Sequence, residues 1–433
     1  MQKIKRTFLW PIALVSGAVL LAPAAWAQSA LLAPAEAIPS TQRMAESYSL
    51  KAVFEQVWAL QPEARSIALR RDATQAARLA TSSWTAEPAA LTLQSVTGGP
   101  GASKGSRDYE VGLVIPLWLP GERARKDALG EAEQQAVESR LAAAQLKLAG
   151  SVREAWWRYQ HAQGELGLTQ DRLSNAQKLA ADVARRFKAG DLSKADQHQA
   201  DGAVAQAQAA VAEALGLRDV ASSALSGWLG GVGVPATFGR GGAEPGVDAL
   251  HTADRPSAHP TVVDWLDQAL VARRVAALVA VQKRGNPELT LATTRGRDQR
   301  GETYQQTVTV GVRIPLGSGA RSQAKEAAAQ ADALEAEVRA NVERARLTAD
   351  IHGAAARLKA TESQLGAMTR QAELARDTLA FVEKAFRLGE ADLPTRLRVE
   401  LEAAQAERQL ARTRTDAAAA VSTLRQALGL LPQ

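Results

Sequence analysis

Two hydrophobic rhythms alternate along this chain, and the alternation occurs twice. Over Tyr109–Leu117 every second residue is apolar: Tyr109, Val111, Leu113, Ile115 and Leu117 fall on one side, and Glu110, Gly112, Val114 and Pro116 on the other. Over Tyr304–Leu316, Gln306, Val308, Val310, Val312, Ile314 and Leu316 oppose Gln305, Thr307, Thr309, Gly311 and Arg313. A period of two predicts a strand with unlike faces. After each strand the period changes. From about Glu122 to Lys188, and from about Ala320 to Arg387, apolar residues recur three and four apart among Ala, Gln, Glu and Arg. At 1.5 Å per residue these patterns predict helices on the order of 100 Å long. Gly190 and Gly389 end them, and a helical pattern returns from Asp191 to about Leu229 and again to Leu428, so each long helix is predicted to fold back as an antiparallel hairpin.

The two halves are copies. Val111-Gly-Leu-Val-Ile-Pro-Leu117 recurs as Val310-Gly-Val-Arg-Ile-Pro-Leu316, Arg186-Phe-Lys-Ala-Gly190 as Ala385-Phe-Arg-Leu-Gly389, and Leu229-Gly230 as Leu428-Gly429, all at an offset of 199 residues. An internal duplication follows. The expected organisation is repeat 1 over residues 48–230, with a β-hairpin at 88–117 and a helical hairpin at 122–229. A Gly- and Pro-rich linker at 231–260 precedes repeat 2 over 261–431, with a β-hairpin at 287–316 and a helical hairpin at 320–428. Strands are expected at Pro88–Val96, Tyr109–Leu117, Pro287–Ala292 and Tyr304–Leu316, with polar turns at Gly98–Ser106 and Arg295–Gly301. Tyr48–Trp84 reads as one helix, or as two joined near Pro62.

Ahead of the repeats, residues 1–27 have the layout of a secretory signal: Lys3, Lys5 and Arg6, an apolar run from Phe8 to Leu21, and Ala25-Trp26-Ala27 before Gln28. Cleavage is expected between Ala27 and Gln28, with 28–47 a linker. Removing those three cations lowers the formal charge from +6 to +3, which leaves no basis for a nucleic-acid partner. There is no Cys, hence no disulfide, no thiolate metal site and no lipidated N-terminal Cys. Beyond the signal no apolar run is long enough for a membrane helix, so a place in a membrane would require a β-barrel.

Strand alternation alone also suits a sandwich strand in a soluble core. Counting favours the barrel. Four strands with long helices on one side leave no second sheet to pack against, and too few strands to close a barrel within one chain. Closure needs several copies, eight strands from two or twelve from three. Both hairpin turns point away from the helices, so a sheet cylinder would be continued by a helix cylinder. Arg313, charged on the polar strand face, is expected to line the barrel lumen.

Signal, duplicated hairpin plus helical hairpin, and glycine-containing tips together resemble the TolC-type outer membrane efflux protein family, over about Tyr48–Leu431. The most specific pieces are the two Val-Gly-x-x-Ile-Pro-Leu copies and Phe386-Arg-Leu-Gly-Glu-Ala-Asp-Leu393. The resemblance implies an α+β membrane protein: a homotrimer with a twelve-stranded barrel in the outer membrane of a Gram-negative bacterium, continued by an α-helical barrel through the periplasm. It also implies a periplasmic adaptor (membrane fusion) protein docking at the far end and an inner-membrane pump. The run Phe386–Leu431 looks most like the outer membrane components of heavy-metal efflux systems of the RND type, which makes metal cations a candidate cargo. By position from the tip glycines, Phe386 and Asp196 match gate residues of the family. The two acidic positions of its aperture ring fall on Thr395 and Arg398, a departure that puts an acidic ring in doubt; Glu390 and Asp392 are the nearby carboxylates.

Gly190, Leu192, Gly389, Glu390 and Leu393 are the expected docking tip, where Leu192 and Leu393 would either cap the helix pair or be covered by the adaptor. No catalytic, cofactor or resident-metal motif is found: the five His are scattered and no Gly-rich phosphate loop opens a helix. The competing reading is a periplasmic coiled-coil scaffold or adaptor with a small soluble sheet.

Overall fold

The computed structural model describes residues 49–97, 105–234, 243–247, 258–317 and 319–433. The expected signal, its cleavage point at Ala27 and Gln28, and the linker 28–47 lie outside the described residues, as do most of the first polar turn and part of the inter-repeat linker.

Tyr48–Trp84 is resolved into two helices, α1 (Leu50–Leu60) and α2 (Pro62–Thr81), broken at Gln61 because Pro62 disfavours helical φ/ψ in the residue before it. Strands β1 (Ala90–Thr97) and β2 (Arg107–Pro116) follow, then α3 (Glu122–Ala189) and α4 (Lys194–Trp228). The second half repeats the order with α5 (Pro260–Val279), β3 (Glu288–Arg297), β4 (Gln305–Arg313), α6 (Gly319–Leu388) and α7 (Leu393–Ala427).

The two hairpins join in one antiparallel sheet of order β1-β2-β3-β4, because β2 pairs with β3 from Arg107↔Arg297 to Pro116↔Glu288. This pairing corrects one expectation. Arg295, Gly296 and Arg297 belong to the strand and not to the turn, since the backbone of β2 continues to pair with them. At the other end β4 stops at Arg313, so Ile314–Leu316 lie beyond the ladder.

The helices form a layer two segments long. Near the sheet the neighbours run α2-α3-α5-α6; toward the tips they run α4-α3-α7-α6. The long helices α3 and α6 span both segments, and the 35-residue α4 and α7 cover only their tip halves. Packing follows from small residues. Ala200, Ala207, Ala214 and Ala221 of α4 are buried at seven-residue intervals, the spacing of a helix seam wound about its partner. A methyl side chain lets the α3 backbone approach closely. Alanine is thus both the best helix former and the seam residue here.

Candidate functional site

Residues paired across an antiparallel ladder share a face, so the register sorts the whole sheet. One face carries Leu91 and Leu93, Val111 and Leu113, Leu289 and Leu291, and Val308, Val310 and Val312. These side chains are most exposed on β1 and β4 and less so on β2: Leu93 keeps 73% and Val310 67% of its surface, and Leu113 38%. No element among the described residues covers them. The other face carries Thr92, Gln94, Glu110, Gly112, Thr290, Ala292, Thr294, Thr307, Thr309 and Arg313. Alternation of an exposed apolar face with a polar one is the pattern of a strand between lipid and water. Arg313 is on the polar face as expected, but it is not alone. Its guanidinium lies 3.4 Å from Glu288 on the adjoining strand.

At the far end of the helices, Gly190 (φ 87°) and Gly389 (φ 78°) adopt left-handed conformations, which only glycine takes without strain. Each closes its helix in the same way. Gly190 N–H donates to Phe187 O and Asp191 N–H to Arg186 O; Gly389 N–H donates to Phe386 O and Glu390 N–H to Ala385 O. The return helices are then capped by reciprocal choices at matching positions. In repeat 1 Ser193 caps α4 and Asp196 reaches back to the Ser193 N–H and hydroxyl at 2.9 and 2.6 Å. In repeat 2 Asp392 is the cap, accepting from Thr395 N–H at 3.0 Å. Hydrogen bonds from Ser193 hold the Asp196 carboxyl below its ordinary range, and those from Thr395 do the same for Asp392. Asp196 and Thr395 therefore have a local duty as parts of helix caps.

Leu393 is buried in a cluster with Leu179, Val183, Ala200 and Phe386, against which Leu192 is partly buried. Of the two readings open for Leu393, capping the helix pair is the observed one; its side chain is not exposed. Phe386 is also buried, with the guanidiniums of Arg186 and Arg396 at 4.9 and 5.0 Å from its ring centroid. Arg398 is exposed and pairs with Glu402 one turn on at 2.8 Å. Gly190, Gly389 and Glu390 are the exposed members of the tip.

Between the hairpins, α3, α6 and α7 enclose a cleft of about 580 Å³ lined by Arg172, Arg186, Glu383, Arg396, Glu400 and Arg408 among others. Burial pushes the Glu400 carboxyl up, against the pull of Arg396. No group of three or more potential ligands fit to hold a metal ion exists among the described residues.

Sequence reasoning missed two arrangements, both dependent on residues about 90 to 280 positions apart. One is the arginine pair around Phe386. The other is a staple on the linker, where buried Glu244 is held by Arg153 at 2.7 and 3.0 Å and by Arg425 at 3.2 Å. Arg153 also reaches Gln426 at 2.6 Å and Leu430 O at 3.0 Å, so the linker ties α3 to the end of α7. With Asp248 and Asp254 in the same Gly- and Pro-rich linker, no local signal singles out Glu244.

Residues 60–231 match the family model described as outer membrane efflux protein. Over 247 residues the chain is 28% identical to the cobalt-zinc-cadmium resistance protein CzcC of Cupriavidus metallidurans, an alignment that covers 55% of this chain and 57% of CzcC. The match thus spans little more than half the length of that relative. The fold extends further. The outer membrane protein VceC of Vibrio cholerae superposes with a TM-score of 0.71 at 14% identity, over 88% of this chain and 96% of VceC. CusC superposes with a TM-score of 0.70 at 16% identity, over 92% and 98%. At such identities the likeness is one of fold, and the fold is that of the TolC-type channels. The resemblance read from the repeated motifs is therefore borne out.

Proposed function

We propose that this protein is the outer membrane duct of a tripartite efflux system, a passive exit with no catalytic step, in which three copies close a twelve-stranded barrel continued by a helical tunnel. The observation that carries the reading is the sheet. Its apolar face is uncovered, and the outer edges of β1 and β4 pair with no strand among the described residues. An unpaired edge is a template for another strand, and β4 of one copy meeting β1 of the next leaves no edge.

The helix layer supports the same closure. Its edges are α2 and α4 on the β1 side and α6 on the β4 side. Each edge exposes apolar residues: Leu69 and Leu79 on α2, Leu217 and Val220 on α4, and Leu334, Val338, Val342, Leu374, Phe381 and Leu388 on α6. Head-to-tail contact of unlike edges produces a ring when the rotation closes.

In this arrangement Thr92, Gln94, Glu110, Thr309 and Arg313 line the lumen, and the hairpin turns face outward. The tips at Gly190 and Gly389 meet a periplasmic adaptor, with Glu390 exposed and Leu192 partly so, and the adaptor joins an RND-type pump in the inner membrane that supplies the energy. Phe386, Asp196, Thr395 and Arg398 stand nearest the aperture. The signal is removed after Ala27. CzcC, named for cobalt, zinc and cadmium resistance, makes divalent metal cations the first cargo to test.

The test is mass measurement of the protein extracted from outer membranes. A detergent-dependent trimer whose gel migration changes on heating is expected. A detergent-free monomer with native helix content would replace this reading by the periplasmic scaffold. Cargo is read separately, as accumulation of cobalt, zinc and cadmium in cells lacking the protein.

A further inference from the structure

The apolar face of the sheet does not remain apolar to its turn end. Continuing the register past Val111, the same face carries Tyr109 and Arg107 on β2, Arg295 and Arg297 on β3, and Tyr304 just before β4. Arg295 and Arg297 flank the Tyr304 ring at 5.3 and 5.2 Å from its centroid, and the Tyr109 ring lies 6.4 Å from that of Tyr304. Arg107 and Arg297 are direct cross-strand partners, and Tyr109 is the partner of Arg295.

Like charges placed directly opposite each other across a ladder are unfavourable, and here three arginines share one patch. No carboxylate among the described residues forms an ion pair with any of them. Asp108 and Glu110 point to the opposite face, as alternation along β2 requires. Glu302 in the turn instead accepts from the Gln299 N–H at 3.1 Å. The Arg297 Nε is shielded from water yet has no hydrogen-bond partner. A cation patch that repels itself, retains an unused donor and borders an uncovered hydrocarbon face fits one kind of occupant, an amphiphile with an anionic head. Arginine forks match phosphate oxygens in pairs, and tyrosine rings prefer the level where hydrocarbon meets headgroup.

We propose that Arg107, Arg295 and Arg297, arranged around Tyr109 and Tyr304, bind the phosphate groups of outer-leaflet lipid while Leu113, Leu291 and Val310 lie along its acyl chains. The proposal rests on the barrel reading above, because only there does the turn end of this face meet the outer leaflet. It assigns the turn end a role in seating the barrel at a fixed depth.

The experiment uses the full-length protein extracted in detergent, with retained lipid counted by native mass spectrometry. The probes are bisphosphorylated lipid A and the same lipid A stripped of its phosphates. Retention of the phosphorylated form at least about tenfold above the stripped form is expected, the scale of a lost charge-assisted hydrogen bond. The variant Arg107→Gln/Arg295→Gln/Arg297→Gln should erase that preference, whereas Arg370→Gln, on an exposed helix face, should keep it. Because the triple variant removes self-repulsion, a matching oligomeric state shows that it still assembles. Equal retention of the two lipids, or an unchanged preference in the triple variant, overturns the proposal. So does loss of lipid A to millimolar inorganic phosphate, which would make the patch a simple anion site. A detergent-free chain would remove both the barrel reading and this one, while a detergent-dependent trimer with no phosphate preference would remove only this one.

Discussion

The Arg186 guanidinium lies 4.9 Å from the centroid of the Phe386 ring and donates to the Phe386 carbonyl at 3.2 Å, joining the tip of the first helical hairpin to that of the second. The Arg396 guanidinium also lies over this ring, 5.0 Å from its centroid, and approaches Glu383 at 3.5 Å. The contact joins equivalent ends of two copies of one repeat, and it is asymmetric. Phe187, the counterpart of Phe386, is not enclosed in this way.

If this contact holds the tips together, Arg186→Gln should raise single-channel conductance in planar bilayers without reducing the yield of assembled protein. Phe386→Ala removes a buried ring, a loss of about 3–5 kcal/mol for a well-packed site, and should speed hydrogen exchange at the tip amides around Gly190 and Gly389 while the sheet amides stay protected. Unchanged conductance in Arg186→Gln would separate the contact from gating.

Leu393→Asp should loosen the tip itself. The side chain is almost wholly buried, so a carboxylate there costs at least as much as a Leu→Ala cavity, about 2–5 kcal/mol. Faster exchange at the tip is expected together with lost efflux. A cleaner probe of docking is cysteine at exposed Glu390, which should crosslink to the adaptor with tip exchange unchanged. Crosslinks arising only from the loop near Gly301 would place docking at the other end.

Arg313→Glu should shift reversal potentials toward cation selectivity. The change sets a second carboxylate beside Glu288, where the wild type has an ion pair at 3.4 Å, and three copies would act on one lumen. On the opposite face, Val310→Arg should impair insertion, with a cost of about 2–4 kcal/mol if the residue lies at mid-membrane depth. Normal insertion of Val310→Arg would mean that the two faces are inverted.

Glu244→Gln should lower thermal stability by about 3–5 kcal/mol, the cost of leaving buried arginines without their counter-charge. Burial alone would raise this carboxyl, but hydrogen bonds from Arg153 and the charges of Arg153 and Arg425 hold it below its ordinary value of 4.5. A folded-state value below the unfolded one means that the stabilisation is complete above about pH 4.5 and is lost as pH falls through the lower folded value. The wild type should therefore lose stability on acidification below that pH, and Glu244→Gln should flatten the loss. The same slope in both proteins would assign the acid sensitivity to other carboxylates.

Much of this architecture was legible in the chain, because its main signals are local. Alternation at Val308–Val312 marks a strand whatever it pairs with, the period of the helices depends on neighbours three and four apart, and left-handed tips need glycine at 190 and 389. The 199-residue repeat showed that the plan occurs twice. What only the tertiary structure decided are relations between distant residues. That β2 pairs with β3, drawing Arg295 and Arg297 out of the turn and onto one face with Arg107, depends on a register between the repeats. Whether Leu393 is exposed depends on whether Leu179, Val183 and Phe386 arrive beside it. That Glu244 in a Gly- and Pro-rich linker becomes a buried staple depends on arginines in two helices converging there. Periodicity reports which side of an element is apolar; packing between elements decides what that side meets.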